Sequence, residues 1–161
     1  MNRLLLFGYG NPSRGDDALG PALLDLLQGA AAECLTDFQL QVEHALDLQQ
    51  RDLVLFVDAS VSCPPPFAFT RLRPARDASF TTHAVSPAAV LEVYQSLQRQ
   101  PPPPSYLLSI RGVSFELGDG LSAAARDHLA AAHTWVERLL AQPDPESWET
   151  LRAAVTEIQR F

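Results

Sequence analysis

Four side chains carry most of the chemical potential of this sequence: two aspartates after a glycine loop, an aspartate ending an apolar run, and a histidine ahead of a helix start. The loop reads Gly8-Tyr9-Gly10-Asn11-Pro12-Ser13-Arg14-Gly15-Asp16-Asp17, the run Leu53-Val54-Leu55-Phe56-Val57 stops at Asp58, and His83 lies in Thr81-Thr82-His83-Ala84-Val85-Ser86-Pro87. A glycine loop between strand and helix suggests a phosphate, yet the dinucleotide fingerprint needs a third glycine where Ser13 stands. A Walker loop needs a lysine, and all 12 basic residues here are arginines. The carboxylates of Asp16 and Asp17 would repel a phosphate at the helix start, whereas they suit a cation. Either aspartate also suits a helix cap, and one can cap while the other points into the crevice.

In a parallel sheet, residues just beyond the carboxyl ends of neighbouring strands meet on one rim, where sites form. Asp17, Asp58 and His83 each fall about one strand-helix unit apart, as convergence there requires. Two carboxylates and an imidazole make a divalent-metal site with a position open to water or substrate. The set has no thiolate and is poor in histidine, which implies weak or transient metal binding. The plainer readings are that Asp58 caps a turn and that His83 bonds to backbone. Elsewhere, His128 and His133 stand five apart on a helix and do not share a face, and His44 is at most a supporting residue. Glu43 lies too far beyond Gly10 to hold a ribose. Cys34 and Cys63 lack metal or redox spacing, and no G-x-S-x-G elbow occurs.

The elements that must position these residues alternate. Leu4 to Phe7 and Leu53 to Val57 read as strands buried on both faces. Phe38 to Val42 reads as a second strand, Phe67 to Leu72 as an edge or antiparallel strand, and Tyr106 to Ile110 as a further one. Apolar residues recur with helical period from Leu19 towards Gly29. Ser86-Pro87 opens a helix with a cap and a first-turn proline, and Ser122 opens a long one. The expected architecture is an α/β three-layer sandwich: a mostly parallel, twisted sheet of about five strands with helices on both faces. It forms a single domain with a core over about residues 3–140. A helix over about 146–160, with Trp148, Leu151, Val155 and Ile158 as its docking stripe, is appended.

Composition narrows the partners. The 161 residues include 19 acidic side chains and a net charge of -7, without the basic stripe that a phosphate backbone demands. Nucleic acid is therefore not expected. The first apolar run is too short to span a bilayer and leads into no cleavage site, so no membrane is expected and the location reads as cytoplasmic. The absence of lysine also excludes Schiff-base chemistry.

The combination G-x-G-N-x-x-x-x-D-D-x-x-G from Gly8 to Gly20, Val57-Asp58-Ala59 and Thr82-His83-Ala84-Val85-Ser86-Pro87 resembles the hydrogenase maturation protease family. These are endopeptidases that trim the C-terminal tail of the large subunit of nickel-iron hydrogenases. The segment Ile110 to Ser122 also resembles a later family segment, especially in relatives serving cytoplasmic bidirectional hydrogenases. The likeness covers roughly residues 3–140 and implies a twisted sheet between helices.

By this resemblance the metal-contacting residues fall on Asp17, Asp58 and His83, which are also the implied catalytic residues. Gly8, Gly10, Asn11 and Asp16 support them, Asp16 as helix cap or second-line residue and Asn11 as a polar group shaping the loop. Many relatives carry glutamate where Asp17 stands, and aspartate is one methylene shorter. The implied substrate is a nickel-loaded [NiFe]-hydrogenase large-subunit precursor. The implied metal is the nickel of that substrate, with zinc or a similar ion able to occupy the site in vitro. A cation there polarises the scissile carbonyl and acidifies water while one carboxylate accepts a proton. The rival from another class is a non-catalytic, nickel-sensing chaperone of the same precursor.

Overall fold

The structure, a computed structural model, describes residues 3–77 and 85–159. Five strands, β1 (Leu4–Tyr9), β2 (Glu33–Asp37), β3 (Leu53–Ser60), β4 (Phe67–Leu72) and β5 (Ser105–Arg111), form one sheet in the order β2-β1-β3-β5-β4. All pairings are parallel except that of β4, which runs antiparallel to β5 at the edge. The central strands are apolar on both faces because both faces are covered.

On one face Leu6, Leu55 and Val57 pack against Leu19 and Leu23 of α1 (Leu19–Leu26) and Ala132 and Val136 of α3 (Ala123–Ala141). On the other, Leu5, Phe7 and Phe56 meet Val90, Leu91 and Tyr94 of α2 (Pro87–Gln98), together with Ala45 and Leu48 of a 3-10 turn, Val42–Leu48. This is the expected three-layer sandwich. Ser86 and Ser122 cap α2 and α3, each hydroxyl accepting from a backbone N–H three residues on, at 3.1 Å.

The last helix, α4 (Pro145–Gln159), is joined to the core through Trp148. That side chain is fully buried, donates its indole N–H to the Leu139 carbonyl at 2.9 Å, and stacks edge-on against Tyr106 at 5.3 Å between ring centres.

The second strand differs from expectation. It is Glu33–Asp37, and the alternating segment that follows is a loop leading into the 3-10 turn. An edge strand pairs on one side only and here is half exposed, so it needs few apolar residues and leaves little pattern to find. In the loop, Leu40 is buried as a single anchor while Phe38 remains 65% exposed.

Candidate active site

Strands β1 and β3 are neighbours, and the chain leaves β1 towards β2 on one side before returning to β3 on the other. Their carboxyl ends therefore flank the topological switch point, the usual crevice of an open α/β sheet. Gly8 pairs with Val57 in the parallel register, so Tyr9 and Asp58 come next in step. Alternation puts both side chains on the sheet face of Phe7 and Phe56.

The glycine loop closes by contacts that exclude side chains. A Cβ on Gly20 would lie 2.6 Å from the Val57 carbonyl oxygen, so the first turn of α1 sits directly on the strand ends. Gly10 has φ +142°, and a Cβ there would lie 2.0 Å from the Asp17 carbonyl oxygen. Asp17 is folded back over the loop, where its Oδ2 accepts the Asn11 backbone N–H at 2.7 Å. The Asn11 side chain in turn accepts the Ser13 N–H at 2.9 Å. Asn11 thus shapes the loop through both its backbone and its side chain.

Asp17 lies near enough to Asp58 for its charge to act on the Asp58 carboxyl. Burial pushes the Asp58 carboxyl up to about 7 and the negative Asp17 adds to the rise, while hydrogen bonds from the Ala59 backbone and the Tyr9 hydroxyl oppose it. Tyr9 is driven well above its ordinary value by burial, then by the negative Asp58, which accepts a hydrogen bond from its hydroxyl. A carboxyl that titrates near neutrality can both take and return a proton in one reaction cycle.

Asp16 has a different role from its neighbour. It is fully buried, and its carboxylate accepts backbone N–H groups from Val113 at 2.8 Å, Ser114 at 3.0 Å and Ser122 at 2.8 Å, with the Ser122 hydroxyl also at 2.8 Å. Burial alone would raise its pKa, but these four donors outweigh it and hold Asp16 below the usual carboxylate range. It does not cap the helix that follows it. It ties the glycine loop to the segment between β5 and α3 and fixes Ser122, the cap of α3. Backbone bonds from Gly118 to Ser13, Gly15 to Asp119 and Asp16 to Ser114 fasten the same two segments.

His83 lies outside the described residues. Among those described, no group of three or more His, Cys, Asp or Glu is arranged to hold a metal ion. His44 sits in the 3-10 turn. Its Nδ1 accepts the Gln41 N–H at 2.8 Å, its Nε2 lies 3.1 Å from Asp37, and its ring packs on Phe7. His128 Nδ1 contacts the Arg111 carbonyl and so joins α3 to the end of β5, while His133 pairs with Glu137 within α3. Sequence reasoning passed over Tyr9. Its only signal was an aromatic residue in step with Phe7 at a strand end.

Solved structures with this arrangement of elements are known. HycI, a [NiFe] hydrogenase maturation protease from Thermococcus kodakarensis KOD1, superposes with a TM-score of 0.66 at 20% identity, over 88% of this chain and 94% of that one. The chain has the fold of the hydrogenase maturation endopeptidases. The hydrogenase maturating endopeptidase HybD from E. coli matches with a TM-score of 0.64 at 23% identity, over 83% and 89% of the two chains. A hydrogenase 2 maturation peptidase from a Thaumarchaeota archaeon gives 0.62 at 24%, over 86% and 98%. No protein-family model and no curated protein sequence matches the chain. Within the endopeptidase fold, the glycine loop, Asp17 and Asp58 occupy the switch-point crevice.

Proposed function

We propose that the protein is an endopeptidase that removes the C-terminal extension of a nickel-loaded [NiFe]-hydrogenase large-subunit precursor. The observation that carries this reading is the pair Asp17 and Asp58 at the switch point, close enough that one charge raises the other's pKa. The fold shared with hydrogenase maturation endopeptidases supports the choice of reaction.

The donor chemistry fits a cation borne by the substrate. Asp17 and Asp58 offer hard oxygen ligands, and two negative charges held together are relieved when a cation arrives. His83 is the third ligand of the proposal, and zinc or a similar ion would use the same donors in vitro. With the substrate's nickel engaged, water adds to the scissile carbonyl and its proton passes to a carboxylate. The carbon–nitrogen bond then breaks, and the proton moves to the departing amine. Asp58, titrating near 7 beside the Tyr9 hydroxyl, is suited to that transfer. The protein would act in the cytoplasm, and among the described residues no helix is long and apolar enough to cross a membrane.

The decisive experiment is anaerobic incubation with nickel-loaded precursor, followed by the mass of the large subunit. Loss of the extension is expected. Binding with unchanged mass would overturn the endopeptidase in favour of a nickel-sensing chaperone. Asp17→Ala, Asp58→Ala and His83→Ala are expected to stay folded and leave the precursor uncut, and full processing by all three would refute the site.

A further inference from the structure

Three of the half-buried arginines, Arg51, Arg71 and Arg152, each meet a carboxylate, on Glu33 or Glu149. Arg111 is half-buried too, yet among the described residues it meets none. Its Nη1 donates to the Cys63 carbonyl at 2.8 Å, and its Nε, like that of Arg71, is buried without an acceptor. Arg71 also reaches Glu149, whereas Arg111 has no carboxylate beside it among the described residues. A guanidinium has five N–H donors in a planar fork that matches a carboxylate. Leaving a charged donor buried and unmatched is costly, and such exceptions in a folded protein call for an explanation.

The position of Arg111 supplies one. Asp58 pairs with Ser109 and Ser60 with Arg111 in the parallel register of β3 and β5. Leu107, two steps before Ser109, packs on the same face as Phe56, two steps before Asp58, so alternation places Arg111 on the face that carries Asp58. It stands two residues, about 7 Å, further out along the strand direction. Register and alternation thus set Arg111 beyond Asp58 on the same face, towards the outer end of the crevice.

We propose that Arg111 binds a carboxylate of the substrate's C-terminal extension and so helps to select the chain that enters the crevice. This rests on the endopeptidase reading for its choice of substrate. The carboxylate is either an acidic side chain of the extension or its terminal carboxylate. Bound on the guanidinium edge, it anchors the chain beyond the bond to be cut, and it acts on binding rather than on the chemical step.

The test measures affinity of the nickel-loaded precursor for the wild type and for Arg111→Gln. Three precursors are compared: unaltered, with the acidic side chains of the extension changed to amides, and with its terminal carboxylate made a carboxamide. Arg111→Gln is expected to weaken binding about tenfold or more, as loss of a charge-assisted pair does. One altered precursor should lose a similar factor with the wild type and nothing further with Arg111→Gln, and which one does so identifies the source. Equal affinity of Arg111→Gln and wild type, no binding by the wild type, or losses that multiply in both arms would overturn the proposal.

Arg111→Lys keeps the charge without the fork and provides a second variant should Arg111→Gln not fold. It is expected to bind more weakly than wild type, and undiminished affinity would overturn the proposal. Mass measurements on the same samples separate the two ideas. Binding that follows Arg111 without cutting refutes the endopeptidase and leaves the carboxylate site. Cutting by Arg111→Gln with an unchanged KM does the reverse.

Discussion

The Tyr9 hydroxyl donates a hydrogen bond to the Asp58 carboxylate across the carboxyl ends of adjacent strands. Burial is the larger influence and lifts Asp58 to about 7, while the Tyr9 bond favours the ionised form and works against that rise. The proposed reaction needs Asp58 ionised in the free enzyme, so kcat/KM should climb with pH through about 7 and level off above it. Tyr9→Phe removes a donor that favours the carboxylate, which moves the rising limb to higher pH. The variant should lose activity at neutral pH and recover it in alkaline buffer. Initial rates of precursor processing across a pH series check this, and a limb that stays in place would separate Tyr9 from the titration.

The same group makes a prediction about stability. Asp58 titrates at about 7 in the folded protein and near 3.8 in the unfolded chain. Between these values the folded state holds a proton that the unfolded state has released, so stability falls as pH rises through this window and is constant above it. Asparagine carries no charge to bury. Asp58→Asn should therefore raise the unfolding free energy at pH 8, by an amount on the order of 2–4 kcal/mol, and change it little near pH 4. Thermal unfolding at the two pH values decides it. A loss at pH 8 would mean that burial does not dominate at this carboxyl.

Asp16 and Asp17 are adjacent and predict opposite phenotypes. Asp16→Ala strands the N–H groups of Val113, Ser114 and Ser122 and releases the cap of α3. At roughly 1 kcal/mol or more for each lost bond, destabilisation of about 3 kcal/mol is expected. Asp17→Ala forfeits one hydrogen bond and should unfold almost as the wild type does while losing activity. Denaturant titration of both variants beside the processing assay distinguishes them. Because the folded Asp16 carboxyl is held below its ordinary value, its stabilisation is present above about pH 4. It is lost as pH falls through the lower folded value.

Sequence legibility followed burial. Strands β1 and β3 are covered on both faces and announce themselves as apolar runs, and Ser86 and Ser122 cap helices as their side chains require. Strand β2 is a half-exposed edge, so Glu33-Cys34-Leu35-Thr36-Asp37 carries no run to recognise. The acids were legible because strand ends and glycine loops mark a rim. What each acid does was less so: Asp16 takes its partners from 97 to 106 residues away, a distance at which local pattern has no power. Arg111 was hidden for a similar reason, since its isolation shows only against the partners of the other half-buried arginines.

The loop that carries Asp17 tests whether backbone placement governs the site. Gly10 combines a positive φ with a Cβ direction blocked by the Asp17 carbonyl oxygen at 2.0 Å. Alanine there must shift the Asp17 backbone, and with it the carboxylate that Asn11 holds from the same loop. The rest of the sheet is untouched, because Gly10 lies beyond the end of β1 and its backbone N–H reaches only the end of β2, at Asp37. Gly10→Ala should therefore cost about 1–3 kcal/mol of stability from strain and reduce processing at least 100-fold, as misplacement by about 1 Å does in a preorganised site. Activity retained within a few fold of wild type in a folded Gly10→Ala protein would show that the position of Asp17 is not set by this loop.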